Sequence, residues 1–166
     1  MNIKQLNRTA LLLALIIVFQ SLRLFLPIPF FVSVYIIGSL VNACFLLAAA
    51  TIGCRFALIL AVIAPIVAYM QKALPLPILI LPIAAANLSY IAGYLMFFAK
   101  SRILAISMAS IAKFVIIYLT VIGIIQYLGV TGKTSVMLTM MLGWPQLITG
   151  FTGGGIFLAV CKKLSI

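Results

Sequence analysis

The chain is a series of apolar runs about as long as a bilayer is thick, and that pattern restricts what it can fold into. Breaks fall at Pro27–Pro29, Gly53–Arg55, Gln71–Pro77, Lys100–Arg102 and Gly129–Ser135. They leave apolar runs near residues 8–26, 33–52, 55–71, 77–98, 103–128 and 135–161. A helix that crosses ~30 Å of hydrocarbon at 1.5 Å per residue needs about 17–25 such residues. The pattern therefore predicts an all-α integral membrane protein of about six transmembrane helices, in a single domain over residues 1–166. The third run is the shortest and holds Pro65, so it is expected to tilt, kink or stop short of one interface. Composition agrees: 67% of residues are hydrophobic and 7% charged. A soluble domain carries about 25% charged residues, and this chain has too few to coat a water-soluble globule.

The charge inventory limits function as strongly as hydropathy limits fold. There are 11 Lys and Arg but no Asp, Glu or His, giving a net charge of +11. No side-chain salt bridge can form within the chain. Each cation must meet a backbone carbonyl, a lipid phosphate, an acidic partner or an anionic ligand. For most of them membrane lipid suffices, because basic residues flank membrane spans. They are scattered between apolar runs rather than clustered, so a nucleic-acid partner is not expected.

General acid–base chemistry near neutral pH relies on His, Asp or Glu, so the chain is not expected to be an enzyme. Zinc, calcium and magnesium sites need the same residues or several thiolates. Cys44, Cys54 and Cys161 form no CxxC pair and are expected to be reduced and structural. Carboxylate or His proton relays are likewise missing. The segment Gly129–Ser135, GVTGKTS, lacks the leading Gly of a nucleotide-binding loop and reads as a turn. No cofactor is expected, and any energy for transport must come from another protein.

The basic residues also set an orientation. Lys4 and Arg8 precede the first run, Arg55 lies between the second and third, Lys100 and Arg102 between the fourth and fifth, and Lys162 and Lys163 follow the sixth. An even number of spans puts all of these on one face, which the positive-inside rule makes cytoplasmic. Both termini are then cytoplasmic, in the cell membrane. The opposite face receives Lys72 and Lys133 in its loops, and Arg23 near the end of the first helix. Its connections are the richer ones: Pro27-Ile28-Pro29-Phe30-Phe31, then Gln71-Lys72 with Pro75-Leu76-Pro77, then Gly129 with Gly132. Lys4 and Arg8 before an apolar run resemble a signal peptide, but no small-x-small site follows at Ser21–Pro27. The segment is read as a retained first span.

Polar side chains at bilayer depth are functional candidates by default. Asn42, Asn87, Lys113 and Gln146 each lie about ten residues into a predicted helix, roughly 15 Å deep. Four helices thus bring one strong hydrogen-bonding group each to a common depth. Lys113 is the sharpest, since insertion there costs about 2.5–3.5 kcal/mol and no acid offsets it. It has three readings: snorkelling to the inner interface, a structural bond to Asn87, Gln146 or a carbonyl, or contact with a ligand carboxylate, phosphate or carbonyl. Asn87, Tyr90 and Tyr94 share a helix face, as do Gln146, Thr149 and Gly153. Trp144 and Pro145 precede Gln146 by less than a turn. Trp144 and Tyr127 also fit an interfacial aromatic belt, and Asn42 fits inter-helix bonding. Gln20 and Arg23 share a face near the outer end of the first helix, where Arg23 most readily meets lipid phosphate. Small-residue pairs recur at Ala10/Ala14, Ala57/Ala61, Ala105/Ala109 and Gly150/Gly154, spacings that allow close helix approach.

Local text adds a resemblance. Thr9-Ala10-Leu11-Leu12-Leu13-Ala14, Gly38-Ser39-Leu40-Val41-Asn42-Ala43, and Gly143-Trp144-Pro145-Gln146-Leu147-Ile148-Thr149 leading to Gly153-Gly154-Gly155 resemble the S components of energy-coupling factor (ECF) vitamin transporters. Chain size and six spans with both ends inside extend the resemblance over almost the whole chain. It implies a substrate-binding subunit that takes a vitamin near the outer face, with helices 4 to 6 and the outer loops supplying most contacts. It further implies a membrane coupling subunit and two ATPase subunits as partners, with release inside by toppling. The family's alanine motif, which faces the coupling subunit, carries over to Ala10 and Ala14. The substrate-contact candidates are Asn42, Asn87, Tyr90, Lys113, Trp144 and Gln146. The vitamin-like ligand is expected to be neutral or anionic, because no carboxylate is present to meet a cation. Two other readings stand beside this one: a structural or assembly subunit of another membrane complex, and an autonomous small transporter.

Overall fold

The computed structural model describes residues 3–25, 29–129 and 131–164. Of the connection between the first two apolar runs, Pro27 and Ile28 lie outside the described residues. The described chain is helical: α1 Ile3–Phe25, α2 Phe30–Thr51, α3 Cys54–Met70, α4 Ile80–Phe97, α5 Arg102–Tyr127, α6 Lys133–Leu142 and α7 Trp144–Leu164. No strand occurs among the described residues. Four of the helices, and α6 with α7 taken together, are long and apolar enough to cross a membrane. The 17-residue α3 extends about 25 Å, a little short of the ~30 Å hydrocarbon core.

Each break has a local cause. Gly53 (φ 108°) turns the chain between α2 and α3, where a residue with a Cβ would be strained. Pro77 opens a short 3-10 turn, Pro77–Leu79, that leads into α4. The segment read as a turn, Gly129–Ser135, holds Gly129 and Gly132 at positive φ, but its last three residues are helical, because α6 starts at Lys133 directly after Gly132.

The expected sixth helix departs from a single rod. It is interrupted at Gly143, whose N–H bonds to the Thr139 carbonyl at 2.9 Å. A Cβ on Gly143 would stand 2.5 Å from that same oxygen. Pro145, the second residue of α7, has no N–H to give and is readily accommodated in such a first turn.

The helices pack α1 on α2 and α3, α3 on α4, α4 on α5, and α2 on α7. Small residues set the closest approaches. A Cβ on Gly93 would lie 2.9 Å from the Ala109 backbone. One on Gly153 would lie 2.7 Å from both Asn42 Cβ and the Ser39 carbonyl. Ala57, Ala61, Ala105 and Ala109 are fully buried, so these alanine pairs serve internal packing. Ala10 and Ala14 are exposed. They lie on the face of α1 opposite Leu12, Ile16 and Gln20, which α1 buries.

Candidate functional site

Asn42, Asn87, Lys113 and Gln146, from α2, α4, α5 and α7, line one cavity of about 110 Å³. Their common depth in the sequence is therefore a common place in the fold. The walls are apolar and include Val34, Ile37, Val41, Leu74, Ile83 and Leu142. Gln20 and Arg23 of α1 line it as well, as do Ala73 and Leu74 from the α3–α4 connection. The cavity thus lies toward the end of the bundle that carries the α1–α2, α3–α4 and α5–α6 connections. On the other side of Lys113 the interior is filled by Phe45, Tyr90, Tyr94 and Phe157, each at most 1% exposed. Tyr94 and Phe157 meet edge to face, with centroids 5.4 Å apart.

Lys113 is 4% exposed. Its ammonium donates to Asn42 Oδ1 at 2.6 Å and lies 5.4 Å from the centre of the Tyr90 ring. The attraction of a cation to a ring face reaches about 2 kcal/mol when both are desolvated. The bond runs to Asn42 rather than to Asn87 or Gln146. Asn42 passes its own N–H to Thr149 Oγ1 at 3.3 Å, and that hydroxyl donates to the Gln146 carbonyl at 3.2 Å. Nearby, the Ser39 and Thr152 hydroxyls form a second α2–α7 bond. The chain Lys113–Asn42–Thr149–Gln146 therefore ties three helices beneath the cavity. Close approach of α2 to α7 at Gly153 makes it possible.

Asn87 is held differently. Its Nδ2 donates to the Ala61 carbonyl of α3 at 3.3 Å. Pro65 follows Ala61 by four residues and has no N–H, so that carbonyl has no helical donor. In lipid, a freed backbone group needs a substitute partner, and Asn87 supplies it. Gln20 similarly donates Nε2 to the Ala64 carbonyl at 3.0 Å, while its Oε1 is buried without a partner. At the same end Gln71 Nε2 donates to Ser21 Oγ at 2.9 Å, joining α1 to α3 again.

Tyr90 and Trp144 stand outside the cavity lining. Tyr90 is fully buried behind Lys113, and its hydroxyl donates to the Gly150 carbonyl at 2.7 Å. Trp144 is 71% exposed and packs on Phe114, with ring centroids 5.8 Å apart. The interruption at Gly143 explains the difference, since it resets the helical phase just before Trp144 and turns the indole outward. Arg23, expected at lipid phosphate, lines the cavity, and its Nε donates to the Gln20 carbonyl at 3.3 Å. Thr149 is the link that sequence reasoning left without a role. Its three-residue spacing from Gln146 was the available signal.

Comparison of the chain with family models, with curated proteins and with solved structures gives no match in any of the three.

Proposed function

We propose that the chain is the substrate-binding subunit of an ECF-type importer in the cell membrane, with both termini cytoplasmic. In this reading it captures a vitamin or related small molecule at the outer face and delivers it inward with a coupling subunit and two ATPases. The observation that carries the reading is the one-sided cavity. Polar groups from four helices converge on a space toward the loop-rich end, while aromatic side chains fill the opposite half. A bundle filled that way conducts nothing as it stands, so delivery needs a large movement. The chain has no nucleotide motif and no acidic or His relay to drive one, which makes outside partners a requirement. The exposed Ala10/Ala14 face of α1 offers a surface on which a partner helix can approach closely.

The volume bears on the ligand. Drug-sized ligands occupy pockets of about 300–1,000 Å³, several times the space present. A ligand of that size enters only if a wall yields, and α6, joined to α7 through the interruption at Gly143, is the wall least tied to its neighbours by side-chain bonds.

The reading is tested by gentle purification of the tagged chain from its native membrane, followed by mass spectrometry of everything retained. A small molecule together with a coupling protein and two ATPases is the expected result. Reproducible recovery of other membrane subunits without a small molecule replaces it with the assembly-subunit reading. The Lys113–Asn42 bond, which serves packing whether or not a ligand is present, is the observation on that side.

A further inference from the structure

We infer that the cavity takes a compact monocarboxylate that also carries one hydrogen-bond donor. The inference rests on the cavity being the ligand site of the proposed function, but not on the coupling partners.

Four independent observations converge. The first is electroneutrality. Lys113 is buried and lines the cavity, and the whole chain contains no acid. Among the described residues its one hydrogen bond, to Asn42, uses one of three N–H groups and supplies no charge. A buried cation without a counter-charge is costly, and an anion admitted beside it removes that cost. One buried ammonium balances one negative charge. Arg23 lines the cavity as well but is only half-buried, so Lys113 is the fully buried cation that the ligand's charge must balance.

The second is the interrupted helix. α7 begins at Trp144, two residues after Leu142 and two before Gln146, both of which line the cavity. The start of a 21-residue helix carries a partial positive charge, although Pro145 has no N–H and the Gln146 N–H already bonds to the Gly143 carbonyl at 3.0 Å. Half-helices that start within a membrane serve anionic ligand groups in this way. The third is Gln20 Oε1, which belongs to a side chain 6% exposed on the cavity wall and has no partner. This acceptor is closed to solvent, so a donor on the ligand satisfies it once the Gln20 side chain turns toward the cavity. The fourth is size. At ~30 Å³ for each water in the liquid, about 110 Å³ holds the volume of about four waters. The apolar wall of Val34, Ile37 and Val41 favours a ligand with a short hydrocarbon body over a bare ion.

The test is a titration of the purified full chain in lipid nanodiscs, in chloride-free buffer, with no partner subunits. The probes are glycolate and lactate, each beside its primary amide, with propionate and inorganic phosphate as further comparisons. At least one hydroxy acid is expected to bind about tenfold or more tightly than its amide, as a charge-assisted bond to Lys113 requires. Lys113→Met is expected to abolish that preference, and Gln20→Leu to abolish the preference for lactate over propionate. Amides that bind as well as the acids overturn the inference, and so does a preference for phosphate. The same holds if no probe binds at millimolar concentration, or if Lys113→Met retains the acid preference. Because the assay needs no ATPase, its failure leaves the importer reading to its own copurification test. Conversely, anion binding by a chain that recruits no coupling partner would sink the importer reading alone.

Discussion

The side-chain amide of Asn87 occupies the place of a missing backbone N–H: it donates at 3.3 Å to the Ala61 carbonyl that Pro65 leaves unpaired on α3. The proline and the asparagine are therefore one device split across two helices. The proline disrupts α3 beside the cavity, and the asparagine covers the exposed acceptor while fastening α3 to α4. Asn87→Leu should cost about 1–3 kcal/mol, the penalty for a buried carbonyl left without a donor. In a Pro65→Ala background the helix regains its own N–H, and the same Asn87→Leu change should cost at least ~0.5 kcal/mol less. Thermal or denaturant unfolding of the four variants in one detergent measures the difference. Equal costs in both backgrounds would show that Asn87 acts elsewhere.

Lys113 and Asn42 form a second coupled pair, with opposite consequences for its two members. Asn42→Ala leaves a buried ammonium without a hydrogen-bond partner and should cost about 1.5–3 kcal/mol. Lys113→Met removes the charge itself and should leave stability equal or higher, as replacing buried ions by apolar groups often does. Adding Asn42→Ala to Lys113→Met should then be far milder than Asn42→Ala alone. Midpoints from a fluorescence-detected thermal series report this ordering. A destabilised Lys113→Met protein would mean that the ammonium contributes more to packing than its burial takes away.

The α2–α7 contact should be intolerant at one glycine and indifferent two residues later. A methyl group at Gly153 would meet Asn42 Cβ and the Ser39 carbonyl at 2.7 Å, and neither belongs to a flexible side-chain end. Gly153→Ala should push the helices apart, stretch the Asn42–Thr149 bond and cost about 1–3 kcal/mol, as overpacking does. Nothing lies within 4 Å of the Cβ position on Gly155, so Gly155→Ala should fold at least as well as the parent. Size-exclusion profiles and unfolding midpoints of the two variants separate the outcomes. A stable Gly153→Ala protein would show that the contact yields.

Tyr90 separates a hydroxyl effect from a ring effect. Tyr90→Phe removes the 2.7 Å bond to the Gly150 carbonyl but keeps the ring 5.4 Å from the Lys113 ammonium. It should cost about 1 kcal/mol. Tyr90→Leu also removes the ring face and should cost about 2 kcal/mol more. If Lys113→Met erases that extra cost, the ring acts on the charge. An unchanged difference would assign it to packing alone.

What was legible in the sequence follows from what physics makes local. Helix limits could be read because Gly53, Pro77, Gly129 and Gly132 end or begin helices through their own backbones. The grouping of Asn42, Asn87, Lys113 and Gln146 could be read because depth in a membrane is a one-dimensional coordinate that residue counting supplies. Rotation about each helix axis is not such a coordinate. Tyr90 is buried behind Lys113 and Trp144 faces outward for reasons of helical phase, and the interruption at Gly143 breaks that phase for α7. The text Gly143-Trp144-Pro145 contains the signal for an interruption, but its length as an apolar run hid it. That Ala61 needs a donor follows from Pro65 by counting back four residues. That Asn87 provides it depends on which helix lies alongside, and no local rule specifies that.

The last prediction concerns the face of α1 that the fold leaves uncovered. Ala10 and Ala14 are exposed, one turn apart, on the side opposite Leu12 and Ile16. Internal packing gives no reason for two alanines there, since a larger apolar residue would serve as well against lipid. A partner helix that must approach closely gives one. Ala10→Trp and Ala14→Trp should therefore leave the unfolding midpoint and ligand binding of the isolated chain unchanged, because neither side chain touches the core or the cavity. Under the proposed function the same variants should lose copurification with the coupling subunit and uptake in cells that supply the ATPases. Loss of uptake with intact binding places the contact on this face. Normal uptake by both variants removes it, and a lowered midpoint in the isolated chain would instead mean that α1 packs inward through the alanines.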